Sequence, residues 1–325
     1  MKLGRREFLQ MAAGAAALPA VPRLAKAHVY PTRAVRWIVP FTPGGPTDTV
    51  VRPMAQWLSE RLGQPFVIDN RPGAGTNVGT EAVVRAPADG YTLLAMAPSS
   101  AINATLYEKL NFNVVRDIAP VATITRQAQV MVVNPSFPAR TVPEFIAFAK
   151  ANPGKINMAS AGTGTAQHLA GELFKMMTRI KMVHVPYRGG APAITDLIAG
   201  QVQVMFTSPL GLIEFIRAGK LRAIAVTTAT RSEALPGVPP VADFVPGFET
   251  TTWFGVGAPM NTPTEIVDKL NKEINAALAD PRMKARISDM GAAPFVSSPA
   301  DFGKLIADET QKWAKVVKFA GLKPE

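Results

Sequence analysis

Two clusters of glycine and hydroxyl residues carry the chemistry this sequence can do. The first, Phe41-Thr42-Pro43-Gly44-Gly45, follows an apolar run from Val35 to Val39 and precedes Asp48, Val50, Val51, Met54 and Leu58 at helical spacing. The second, Ser160-Ala161-Gly162-Thr163-Gly164-Thr165, precedes Leu169, Leu173 and Phe174, which share one helical face. Each reads as strand, glycine loop, helix start. That unit aims unpaired backbone N–H groups and the positive end of a helix dipole at whatever lies above the loop, so each is a cradle for an anion. Glycine suits the role because it permits positive φ and lets backbone approach a ligand closely. The plainer alternative is that Gly44, Gly45, Gly162 and Gly164 only make turns.

Further donors lie at the carboxyl ends of other apolar runs, where open α/β sheets bind ligands. Ser99 and Ser100 follow the run 91–96, and Thr207 and Ser208 follow the run 202–206. With Thr163 and Thr165 they are candidate hydroxyl donors, or simply caps. Phe41 is either a wall for the apolar part of a ligand or a core ring, and Pro43 of the same loop is a further candidate ligand contact. Tyr187, just before Gly189-Gly190, lines the cleft or packs at a hinge. Asp48 would repel an anion, so its expected role is support through a cap or a water. His168, early in the second helix, is expected to brace the loop.

Other chemistries find few residues. The chain has no Cys, so it offers no disulfide framework, thiol nucleophile or thiolate metal site. No G-x-S-x-G elbow occurs, and the three histidines, His28, His168 and His184, form no H-x-x-x-H pair. A catalytic residue, a metal and a cofactor are therefore not expected. Gly73-x-Gly75-x-x-x-Gly79 misses a dinucleotide fingerprint by one position, with Val78 where the third glycine belongs; a tight turn and a close helix approach are expected instead.

Positioning these residues takes alternating strands and helices. The pattern predicts strands over 65–69, 91–96, two runs within 121–134, 156–160, 182–186, 202–206, 222–227 and 253–258. It predicts helices over 77–85, 141–150, 166–177, 192–199, 213–218, 264–279 and 299–320, and a helical or irregular section up to Leu110. Such alternation argues α/β with mainly parallel sheets.

At 325 residues, 47% hydrophobic and 18% charged, the chain has material for two domains. Residues 1–27 are set apart. Arg5-Arg6 with Phe8-Leu9, a short apolar run from Met11 to Val21, and an Ala25-Lys26-Ala27 cleavage site read as a twin-arginine export signal, too short to span a membrane. The formal charge is +11, and removing this segment leaves +7. The basic residues are dispersed, as in Arg33, Arg52, Arg61 and Arg85, which fits a solvated surface with mild anion steering and not a nucleic-acid footprint.

Several motifs occur in one order: Val39-Pro40-Phe41-Thr42-Pro43-Gly44-Gly45-Pro46-Thr47-Asp48, Asn70-Arg71-Pro72-Gly73-Ala74-Gly75, Asp89-Gly90-Tyr91-Thr92-Leu93, Ala161-Gly162-Thr163-Gly164-Thr165 with His168 to Phe174, and Val185-Pro186-Tyr187-Arg188-Gly189-Gly190. The chain resembles the substrate-binding proteins of tripartite tricarboxylate transporters, the Bug receptors, over nearly all its length beyond the leader. The resemblance implies a periplasmic binding protein of type II, a Venus flytrap of two α/β lobes joined by two hinge crossings. Lobe 1 would be residues 28–125 plus 252–325 and lobe 2 residues 126–251, with crossings near Arg126 and Thr251. A small organic anion, a mono-, di- or aromatic carboxylate, would be captured in the cleft by a monomer and passed to cytoplasmic-membrane permease subunits. A sensing co-receptor for a signalling kinase is the alternative, and an exported enzyme acting on a small acid a more distant one. Two departures stand out: Thr163 replaces an asparagine common in the family, and Gln203 with Thr207-Ser208 occupies a strand end that often carries acidic or amide groups, which disfavours an amine ligand.

Overall fold

The computed structural model describes residues 30–107 and 109–323, so the expected export signal lies outside the described residues. Two sheets organise the chain. The first contains β1 (Val35–Val39), β2 (Phe66–Asn70), β3 (Thr92–Met96), β4 (Ile118–Ala128), β10 (Thr251–Pro259) and β11 (Ala293–Pro294), in the order β11-β4-β10-β3-β1-β2. The second contains β5 (Val130–Val133), β6 (Asn157–Ser160), β7 (Val183–Pro186), β8 (Val204–Thr207) and β9 (Arg222–Val226), in the order β7-β6-β8-β5-β9. These are two α/β lobes.

The sheets are mixed, which corrects the mainly parallel arrangement expected from alternation. Pairs β1–β2, β1–β3, β6–β7 and β6–β8 are parallel, whereas β10 runs against β3 and β4, and β5 runs against β8 and β9. The cause is the crossing between lobes. A strand that enters a sheet from the other lobe arrives from the opposite end, so β10 lies antiparallel beside β4, register Thr251 to Ala128 through Pro259 to Ile118. The chain passes from β4 to β5 at Gln129 and returns into β10 after Thr250. The Gln129 N–H donates to Thr227 Oγ1, and Thr250 Oγ1 donates to Gln129 Oε1, so both passages are tied together in a buried cluster.

Helices cover both faces of each sheet, which explains the uninterrupted apolar runs in the central strands. On one face of the first sheet, α1 (Pro46–Leu62) and α9 (Thr264–Ala279) bring Val51, Met54, Leu58, Leu270 and Ile274 against Trp37 and Val39. On the other, α2 (Asn77–Val84) and α11 (Pro299–Ala320) bring Val83, Phe302 and Ile306 against Ile38, Leu94 and Trp253. In the second sheet β5 shows the two-residue period directly: Met131 and Val133 join Phe145, Phe174 and Phe206, while Val130 and Val132 join Leu197 and Met205. The lobes also share a core. Trp313 of α11 packs with Ile102 and Leu106 of α3 (Pro98–Leu106) and with Leu169 of α6 (Ala166–Thr178). The remaining helices are α4 (Val114–Asp117), α5 (Val142–Ala151), α7 (Gly190–Ile198), α8 (Ile213–Arg217) and α10 (Pro281–Asp289).

Candidate functional site between the lobes

The carboxyl ends of neighbouring parallel strands open toward one cleft, β1 and β3 from the first sheet and β6 and β8 from the second. A buried cavity sits there, lined by Phe41, Pro46, Thr47, Ala97, Pro98, Ser99, Ala161, Thr165, Ala166, Gln167, Gly190, Ser208, Thr252 and Phe254. Four helices begin on its walls: α1 at Pro46, α3 at Pro98, α6 at Ala166 and α7 at Gly190. First-turn N–H groups have no helical acceptors, and each helix start carries a partial positive charge. No Lys, Arg, His, Asp or Glu is among the lining residues. The site therefore offers an anion neutral donors and dipoles, with Phe41 and Phe254 as apolar walls.

The sequence of each loop explains its local shape. In the first, Gly45 is the N-cap of α1 and Pro46 follows at the first position, where its missing N–H costs nothing. Asp48, 2% exposed, accepts from the Gly44 N–H at 2.9 Å, from Arg52 Nε and Nη2 at 2.7 and 2.9 Å, and from Asn70 Nδ2 at 3.0 Å. Burial pushes its carboxyl up, but the bonds from Arg52, Gly44 and Asn70 outweigh this and hold it below its ordinary value. In the second loop, Thr165 caps α6 through His168 N, and its hydroxyl also donates to Gly162 O at 2.7 Å. The Gly164 N–H donates to His168 Nδ1 at 3.3 Å, which leaves the proton on Nε2, 3.6 Å from Glu172. His168 stacks on His184 with ring centroids 3.8 Å apart, and His184 Nε2 lies 2.7 Å from Ser160 Oγ. Burial, followed by the neighbouring His168, lowers the His184 pKa to about 3.

The structure brings together on the cavity Phe41, Ser99, Thr165 and Ser208. The backbone of Gly45 contacts the start of α7, whereas Pro43 and Gly44 are exposed outside the cavity. Ser100 is buried one residue further along α3, with its N–H on Ala97 O. Thr207 is buried in β8, and its hydroxyl has no protein partner. Ser160 and Gly164 face the histidine pair. Gly162, Thr163 and Tyr187 line a second cavity, and the Tyr187 hydroxyl donates to Asp196 at 2.7 Å.

Lining residues not anticipated are Pro46, Thr47, Gln167, Gly190, Thr252 and Phe254, together with Ala97, Pro98, Ala161 and Ala166. Two signals could have found some of them. Pro98 before two serines is a helix-start pattern as much as a strand end, and Thr252 and Phe254 alternate along a strand and so share a face. Thr76 was also missed. Its hydroxyl lies 3.2 Å from Ser99 Oγ, and it ends a run of positive φ at Gly73, Ala74, Gly75 and Thr76. Gly79 follows, and a Cβ there would stand 2.7 Å from Pro40 Cβ, the close helix approach read from the sequence.

A two-lobed α/β shell around a neutral, donor-lined cleft defines a solute-binding receptor. A family model described as the tripartite tricarboxylate transporter family receptor matches residues 50–322. Protein BugT of Bordetella pertussis is 38% identical over 300 residues, covering 91% of this chain and 92% of the relative. Among solved structures, an R. palustris protein determined with adipate superposes with a TM-score of 0.89 at 38% identity, covering 91% of this chain and all of that one. The periplasmic binding protein BugD gives 0.88 at 33% identity over 91% of this chain and 100% of its own. MatC of Rhodopseudomonas palustris, with bound malate, gives 0.85 at 31% over 89% of this chain and 100% of its own. The chain belongs to the tripartite tricarboxylate transporter receptor family, whose members are non-enzymatic solute-binding receptors.

Proposed function

We propose that this receptor captures a small organic carboxylate in the periplasm, closes its lobes on it and delivers it as a monomer to the permease subunits of a tripartite transporter. Export would use the twin-arginine segment 1–27, cleaved before His28. The observation that carries the reading is the meeting of four helix starts on one cavity without a charged side chain. Neutral donors hold a carboxylate through charge-assisted bonds and still let it go, as transport requires. Relatives solved with adipate and malate support the ligand class.

The lobes close about the two passages at Gln129 and Thr250, with residues 28–125 and 252–325 moving against 126–251. The cavity measures about 20 Å³, room for roughly one water. A carboxylate therefore enters a wider state and the glycine loops settle around it. Phe41, Ser99, Thr165 and Ser208 are its side-chain contacts, with Asp48 and His168 holding the loops from behind. Isothermal titration against mono-, di- and aromatic carboxylates tests this. Binding of at least one carboxylate is expected; binding of sugars or cations with no carboxylate would overturn it.

A further inference from the structure

A crevice of about 320 Å³ lies where the chain passes between the lobes, and it shares no lining residue with the two cavities of the cleft. The first sheet supplies Arg126 of β4 and the turn Gly291 to Ala293 that leads into β11; the second supplies the loop after β9, with Thr228, Thr230 and Arg231. Two arginines thus line one crevice from different sheets. Both are exposed, and neither has an ion pair among the described residues. The Arg126 guanidinium lies over the Phe295 ring, 5.8 Å from its centroid. Among the described residues that line the crevice Glu233 alone is acidic, and it too has no ion pair.

Two contacts tie this crevice to the first cavity. Gln127, 7% exposed, lines the crevice and donates through Nε2 to Ser208 Oγ at 3.1 Å, while its Oε1 has no protein partner. Gly291, at φ +84°, packs so closely that a Cβ there would stand 2.8 Å from Pro209 Cβ and 3.5 Å from Ala234 Cβ. Ser208 lines the first cavity, and Pro209 follows it in the chain.

We propose that this crevice is an effector site for a small multivalent oxyanion, with inorganic phosphate as the simplest case, and that its occupation favours the closed lobes. The coupling to carboxylate capture rests on the reading above; the site itself does not. Guanidinium groups take oxyanions through paired, charge-assisted hydrogen bonds, and two unpaired ones on an open crevice give up little solvation to do so. Because the arginines stand on different sheets, an anion that bridges them stabilises the present arrangement of the lobes over one in which they have turned apart. Whatever fills the first cavity then binds more tightly. The Gln127 to Ser208 bond and the Gly291 to Pro209 contact carry that arrangement to the cavity wall.

The test is calorimetry on the whole chain with phosphate, at an ionic strength held constant with chloride. Phosphate should bind the wild type, and Arg126→Gln and Arg231→Gln should each weaken it by about 10-fold or more, the range of a charged hydrogen bond. Saturating phosphate should tighten the carboxylate found by the titrations above by about 5-fold or more, the low end of ordinary coupling, in the wild type and in neither variant. Phosphate binding that is absent, or equal in the wild type and both variants, overturns the site. Phosphate that competes with the carboxylate equally in all three proteins sits at the helix starts and overturns it as well. Phosphate binding that depends on the arginines but leaves carboxylate affinity unchanged overturns the effector role. If no carboxylate binds, the carboxylate reading falls, and the phosphate titrations still decide the crevice.

Discussion

The two jaws share a strand, glycine loop and helix, yet they are braced by opposite means. Lobe 1 fixes its loop with a buried charge: Asp48 takes the Gly44 N–H while Arg52 and Asn70 neutralise and orient it. Lobe 2 fixes its loop with a hydroxyl and imidazole network, the Thr165 hydroxyl, the stacked His168 and His184, and Ser160, and sets its charges one step further back, in Glu172 and Lys175 behind His168. Both solutions spend a glycine N–H on a side chain behind the loop and leave the helix starts facing the cavity. On the proposed carboxylate reading, the first turns of the helices would hold the anion more than the glycines, whose work is to let the loops turn and the lobes meet.

If the first jaw depends on a buried charge, removing that charge has the largest effect available. Asp48→Ala removes the acceptor of the Gly44 N–H and one of the two acceptors of the Asn70 amide, which keeps Phe41 O, and frees Arg52, whose side chain is half exposed and recovers water. A loss of about 2–4 kcal/mol is expected in urea unfolding, below the extreme for a fully buried pair because Arg52 can rehydrate. His168→Ala in the second jaw should cost about half as much. Equal losses would erase the distinction between the braces.

The contrast was partly legible in the sequence. Both glycine loops, the helices 264–279 and 299–320, and the role of Asp48 and His168 as supports follow from spacing and from the repulsion between like charges. What local pattern could not supply is the meeting of distant segments. Gln167 and Gly190 lie in lobe 2 and Thr252 in the strand that returns from it, and only the antiparallel crossing of β10 beside β4 sets Thr252 and Phe254 against Phe41. The same limit hid the mixed sheets, since strand direction depends on which lobe a strand enters from. The helix α10 at 281–289 was missed because its charged sequence buries only Met283 and Ile287, too few for a periodic signal.

Steric contact separates the jaws a second way. Gly164 has φ +81°, and a Cβ there would overlap Asn103 Oδ1 and stand 2.8 Å from Leu106 Cδ2, both on the opposite lobe. Gly45 has φ −78°, and its nearest neighbours would be 3.5 Å from a new Cβ. Gly164→Ala should therefore wedge the lobes and weaken carboxylate binding by about 10-fold or more, the strain of a left-handed, overpacked residue. Gly45→Ala should stay within a few-fold by the same titration. A reversed order would show that closure is limited at the first loop.

The smallest effect separates the braces by pH. His184 is lowered to about 3 by burial, then by His168, while Glu172 pulls the other way and Lys175 adds to the depression. In the unfolded chain it protonates near its ordinary value of about 6.5, so the unfolded state binds more protons between those values. Stability is then complete above about 6.5 and is lost as pH falls toward about 3, at no more than about 1.4 kcal/mol per pH unit. Asp48, depressed below its ordinary carboxylate value, stays ionised through most of that window, and its contribution disappears only when pH falls through its folded value. Urea unfolding at pH 7.5, 6 and 5 should show a falling midpoint for the wild type and a flatter profile for His184→Gln. Identical profiles would mean that the acid response comes from elsewhere and that the imidazole brace of lobe 2 is no more proton-sensitive than the carboxylate brace of lobe 1.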